Sequence, residues 1–266
     1  MTESIDAALG LMKRDWLTFS SYRTQLASLI IGMFTSMTLY FYLSKLVHVS
    51  SFPNHKDYFA FVVIGMVIVE VLQSTIGIAA TLRGELVAGT FERLILSPFG
   101  PIPAMLAMMV FPFCMALLTS TLMLVFASTV FGVDLRWSTA WLAVPVGILG
   151  TGVFTAFGML MAALTLVFKR ATSGLGLVLT IISLTSGLYF PIALLPGYLQ
   201  WISKVQPFTP SVDLLRNLLV GTALRETATL DIAKMVGFLA IMVPAGLFGL
   251  RAALRYAQKR GTIMEY

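Results

Sequence analysis

Long unbroken apolar runs constrain this chain more than any other feature. Residues 25–46, 57–82, 103–132, 137–168, 172–190 and 231–256 are each predominantly apolar over about 20 positions or more, the length an α-helix needs to cross the hydrocarbon of a bilayer. A segment in lipid has to satisfy its own backbone hydrogen bonds, which leaves helices and closed barrels. Barrel strands alternate polar and apolar residues over about ten positions, whereas these runs are continuous. Composition agrees: 58% of the 266 residues are hydrophobic and 11% are charged, against about 25% charged in soluble domains. The expectation is an all-α polytopic membrane protein, one transmembrane domain over 1–266 with six transmembrane helices.

The polar stretches set the rest of the layout. Residues 1–24 are too polar to span, yet Ile5, Leu9, Met12, Trp16 and Phe19 recur at helical spacing while Asp6, Lys13 and Asp15 lie off that stripe. This reads as an interfacial helix with Trp16, Phe19 and Tyr22 near headgroup level; a short soluble cap helix is the alternative. No charged-then-apolar leader with a small-residue cleavage site is visible. Between spans five and six, residues 191–230 contain four prolines and two short apolar pieces, about 194–204 and 211–222. Pieces this short are expected to be re-entrant or interfacial half-helices on the extracellular side. Placing both termini in the cytoplasm puts eleven Lys and Arg inside and seven outside, the sign that the positive-inside rule requires. The basic 257–266 tail and the Lys169–Arg170 turn are its clearest parts. The net charge of +6 then reflects basic loops rather than nucleic-acid binding.

Several chemistries lack their residues. No Gly-Lys dipeptide occurs, so there is no GxxxxGK[ST] phosphate loop. The two histidines, His48 and His55, fall in one loop without further ligands, and no metal site is expected. No Ser/His/Asp arrangement points to a catalytic residue. The single cysteine, Cys114, sits in an apolar run. Glu70 is the sharpest oddity, a carboxylate mid-span with Gln73 and Ser74 one turn on. Intramembrane acids are costly and face a bundle interior or an aqueous cavity. Two readings stay open: Glu70 and Gln73 line a pathway, or Glu70 makes a structural hydrogen bond to a neighbouring span.

Residues 83–100 interrupt the apolar pattern with a short amphipathic piece. Leu86, Val87, Phe91, Leu94 and Ile95 share one face, and Glu85, Gly89, Glu92 and Arg93 share the other. So short a helix needs something to pack against. Its polar face is either a dock for a soluble partner or an ordinary solvated surface.

Two motifs carry a resemblance. RGELVAGTFERLILSPFGP at 83–101 resembles the cytoplasmic loop of bacterial type-2 ABC export permeases. SGLYFPIALLPGYLQWISKVQPFTPSVDLLRNLL at 186–219 is similar to that family's fifth-span ending, except that Gln206 stands where the family often has Asn. The resemblance implies a half-transporter: two copies form the pathway, and a separate ATPase subunit binds the ATP. This chain itself would be no enzyme and would bind no cofactor. By residue matching, the coupling helix at 83–100 would engage the ATPase through Glu85, Gly89, Thr90, Glu92 and Arg93. Lys13, Arg14, Lys169 and Arg170 would form a second contact. The implied setting is the cytoplasmic (inner) membrane, with membrane lipid as a further partner. The implied activity is export of an amphipathic drug-like or lipid-like substrate, with a polysaccharide or lipid-linked glycan as the nearest rival. A membrane-embedded enzyme or scaffold without an ATPase is the rival from another class.

Overall fold

The structure is a computed structural model that describes residues 2–46, 52, 54–89, 101–167 and 171–260. Every regular element among these residues is helical: α1 (Thr2–Ser21), α2 (Arg23–Leu46), α3 (His55–Val87), α4 (Pro101–Val130), α5 (Trp137–Val167), α6 (Ala171–Thr185), a 3-10 turn (Ile192–Leu194), α7 (Gly197–Val205), α8 (Phe208–Leu219) and α9 (Ala228–Arg260). Five of them, α2 to α5 and α9, are long and apolar enough to cross a membrane. They coincide with five of the six runs read from the sequence.

The fifth run departs from expectation. Residues 172–190 read as one span, but α6 stops at Thr185 after 15 residues, about 22 Å at 1.5 Å per residue and short of a bilayer core. The chain turns at Gly187, whose φ of +73° lies in the region that favours glycine. A Cβ there would sit 2.7 Å from Cγ1 of Ile192. Ser183 and Gly187 therefore do not form the small-residue pair that a continuous helix would make of them. Residues 191–230 do contain two short helices, α7 and α8, displaced by a few residues from the predicted pieces.

α3 is the most enclosed span, with 75% of its most apolar stretch buried against 6% for α2. Asp57 in its first turn complements the helix dipole. At its other end Ala88 N–H donates to Gly84 O and Gly89 N–H to Leu86 O. Gly89 takes a φ of +66°, the left-handed glycine that commonly terminates helices. The helix thus runs through Arg83 and Glu85 to Val87, five residues past the predicted limit of 82. Residues 90–100, including Thr90, Glu92 and Arg93, lie outside the described residues, as do Lys169 and Arg170.

Packing forms along α3. At its Glu85 end Leu82 and Leu86 meet Met105 and Met109 of α4, Met159 and Ala162 of α5, and Leu250 and Leu254 of α9. Further along, Ile64, Ile68 and Val71 meet Phe154 of α5 and Phe208, Val212 and Leu215 of α8. Phe154 and Phe208 stack with ring centroids 4.3 Å apart. Small residues bring the backbones close. A Cβ on Gly246 of α9 would lie 3.0 Å from Met159 Cβ, and one on Gly150 of α5 would lie 3.3 Å from Ser211 Oγ of α8. The glycines of the fourth run thus include contacts within the chain. α4, α5 and α9 each carry an internal proline, Pro112, Pro145 and Pro244; α3 carries none.

Candidate functional site

Three features lie along α3, and each joins it to a different part of the molecule. Nearest the His55 end, Arg216 of α8 is 2% exposed. Its Nη1 donates to Gly187 O at 2.8 Å and its Nη2 to Leu188 O at 2.7 Å. Nη2 and Nε also donate to Phe61 O at 3.1 and 3.3 Å, and the guanidinium carbon lies 3.3 Å over the Phe61 ring. A guanidinium has five donors in a fixed fork, which suits carbonyls presented from two directions. The break after α6 frees carbonyls that a continuing helix would have used, and Arg216 takes them. Burial lowers its pKa to about 9, with Asp213 opposing, so it remains a cation at neutral pH. α3 approaches the same break so closely that a Cβ on Gly65 would lie 2.0 Å from Leu188 O. Arg216, a lone base beside a short apolar piece in the sequence, is an interior fastening.

Mid-helix, about 14 Å further along at helical rise, Glu70 faces a cavity of about 410 Å³ between α2, α3 and α4. Ser28, Ser36 and Tyr40 of α2, Thr119 of α4 and Tyr189 beyond α6 supply its polar lining, and Met33, Met66 and Met123 part of its apolar lining. The Tyr40 and Tyr189 rings stack at 6.1 Å. Glu70 is half-buried and has no hydrogen bond or ion pair among the described residues. Among the described residues no neighbouring Gln, Ser or Thr holds it, as the structural alternative requires. Gln73 is exposed and does not line this cavity.

At the Glu85 end, Arg14 Nη2 of α1 lies 3.2 Å from Glu85 Oε1 and 2.9 Å from Asp15 Oδ1. Burial pulls the Arg14 pKa down, but Asp15 and then Glu85 outweigh it and the net shift is upward. Sequence reasoning assigned Arg14 and Glu85 to two separate surfaces, and the structure brings them together. Lys13, beside them in sequence, is exposed, and Gly89 ends the helix one turn past Glu85. The pairing of residues 71 positions apart has no local signal. Among the described residues no group of three or more His, Cys, Asp or Glu side chains is placed to hold a metal.

An all-helical membrane domain with a carboxylate-bearing cavity is the setting for the comparison with known proteins. Residues 8–220 match the family described as ABC-2 type transporter. The chain belongs to that family. An ABC-2 membrane chain is a transport permease, so this is a multi-pass transport protein. It is also 30% identical over 120 residues to Nodulation protein J of Rhizobium leguminosarum bv. trifolii. That similarity covers 45% of this chain and 44% of the relative, less than half the length of either. The family match ends at 220, so it includes the Arg216 fastening and leaves out α9.

Proposed function

We propose that this ABC-2 chain is the membrane half of an ATP-driven exporter, working as two copies with a separate ATPase. Both termini face the cytoplasm, and the membrane is the inner membrane. α6, with the turn and short helix that follow, makes a broken fifth crossing, and α7 and α8 are half-helices on the outer side. The observation that carries a pathway role is Glu70, a mid-membrane carboxylate in an open cavity with no partner among the described residues. Such a group is expensive in lipid, and facing water or a polar substrate offsets that cost.

The neighbouring surface supports a second copy. α2 exposes Ile30, Ile31 and Phe34, and α6 exposes Leu177, Ile181 and Leu184. A two-fold seam along these faces would bring two Glu70 cavities towards one axis. At the cytoplasmic end the Arg14–Glu85 pair fastens α1 to the last turn of α3. A partner engaging residues 85–93 together with Lys13, Arg14, Lys169 and Arg170 would move α1 and α3 as one. ATP binds that partner, and its closure shifts packed spans between two arrangements.

The substrate is an amphipathic drug-like or lipid-like molecule. The stacked Tyr40 and Tyr189 favour a second reading, a lipid-linked glycan or polysaccharide, because sugar rings pack on aromatic faces. Reconstitution of the chain with its ATPase in vesicles tests both the class and the site. Transport that continues without ATPase or nucleotide would sink the exporter reading. Glu70→Gln and Glu70→Leu are expected to lower transport with ATP hydrolysis retained. If Glu70→Leu transports at the parent rate, Glu70 does not line the pathway.

A further inference from the structure

α9 presents two opposite faces along its second half. Leu250, Ala253, Leu254 and Ala257 are buried, and Gly246 and Gly249 sit against Met159 and Leu160 of α5. On a wheel at 100° per residue, the opposite side carries Arg251, Arg255 and Lys259, all exposed. They follow at i, i+4 and i+8, so the three cations form a row. With Phe248 and Tyr256 they line a groove of about 460 Å³. None of the three bases has a hydrogen bond or ion pair among the described residues.

The same stripe changes chemistry further along the helix. Before Arg251 it consists of Gly237, Ile241, Pro244 and Phe248, all exposed, with Ile241 at 65% and Phe248 at 75%. Ile241 to Arg251 is ten residues, about 15 Å of helix. That equals half of the roughly 30 Å hydrocarbon core, the depth of one leaflet. The apolar part of the stripe therefore has the length of an acyl chain, and the basic part begins where phosphates begin.

We propose that this face of α9 is a binding site for an anionic phospholipid of the leaflet at the Arg251 end. Its phosphate sits against Arg251 and Arg255, with Lys259 beyond them, and an acyl chain lies along Phe248 and Ile241. A soluble protein fits the stripe less well, because the face points sideways, away from α5, and its apolar half lies at hydrocarbon depth. The row of like charges, which repel one another along the helix, is relieved when an anion sits across it. Anionic lipids attract membrane-proximal bases by about five-fold in affinity per charge. The site needs only that α9 crosses the bilayer, and it stands whether or not the chain works with an ATPase.

The test uses the purified full chain, delipidated and titrated with phosphatidylglycerol or phosphatidylcholine of identical acyl chains, with bound lipid counted by native mass spectrometry. At least a ten-fold preference for phosphatidylglycerol is expected. Arg251→Gln/Arg255→Gln/Lys259→Gln is expected to abolish it, and Arg251→Lys/Arg255→Lys to keep most of it. Phe248→Ala should lower retention of both lipids alike. Should the triple variant not purify, Arg255→Gln alone serves, with a loss of about five-fold. Equal retention of the two lipids by the parent chain overturns the proposal. So does a triple variant, or a purified Arg255→Gln, whose preference is unchanged, including the case where the row proves to hold a soluble protein instead.

Discussion

Arg216 and Arg14 both tie another helix to α3, and they do so by opposite means. Arg216 is sealed in the interior and bonded to carbonyls of Phe61, Gly187 and Leu188. The Arg14 side chain is 45% exposed and bonded to carboxylates of Asp15 and Glu85. A buried cation with no water to return to leaves its site only at a large cost. The Asp15 and Glu85 side chains that partner Arg14 are 18% and 14% exposed, so only the cation side of this joint faces water. A half-exposed ion pair gains less and exchanges partners more readily than a sealed one. The first arrangement suits a joint that holds one geometry, and the second suits a joint where a partner protein takes hold. If the proposed ATPase drives the permease from one side of the membrane, the exchangeable joint at the Glu85 end is the one it would take hold of.

The contrast can be broken at several points. Arg216→Met should have the largest effect, about 2–6 kcal/mol of stability, because it takes the donors from the buried carbonyls of Gly187 and Leu188 and removes the guanidinium from the Phe61 ring. Thermal unfolding in detergent measures it, and a variant melting within a degree or two of the parent would show that the joint holds nothing. Gly65→Ala comes next, at about 1–3 kcal/mol, since its methyl would meet Leu188 O. Its cost should not add fully to that of Arg216→Lys, because both act on the same break after α6. Arg14→Gln, at a side chain 45% exposed, should cost under about 1 kcal/mol, less still at high salt, and Glu85→Gln, at a side chain 14% exposed, somewhat more. A double-mutant cycle between them isolates the pair, and a coupling as large as the Arg216 effect would erase the distinction drawn here.

How much of this could be read beforehand depends on how far apart the partners lie. Apolar runs are local, so α2 to α5 and α9 were legible, and Glu70 stood out because a carboxylate inside such a run is costly wherever it points. The end of α6 was not legible. Leu188, Tyr189 and Phe190 look like more span, and what stops the helix is Gly187 together with an arginine 29 residues later. Arg216 itself resembled a flanking loop charge, because a lone Arg beside an apolar piece gives no sign of which carbonyls it will meet. Arg14 and Glu85 were each picked out as site residues, but their pairing depends on how α1 folds back. That Glu70 meets no partner among the described residues could be read only with the helices around it in place.

The internal prolines separate α3 from the other well-packed spans. Pro112, Pro145 and Pro244 remove a backbone hydrogen bond from α4, α5 and α9, and helices bend most easily at such places. α3 has 33 residues and no such weak point, so it behaves as a strut about 50 Å long among three springs. A tilt of about 5° about its middle would carry each end through about 2 Å. Its Glu85 end and its Arg216 joint would move in opposite directions, and the cavity at Glu70, near the pivot, would hardly shift. Displacement delivered at one face of the membrane would thus arrive at the other with its sense reversed.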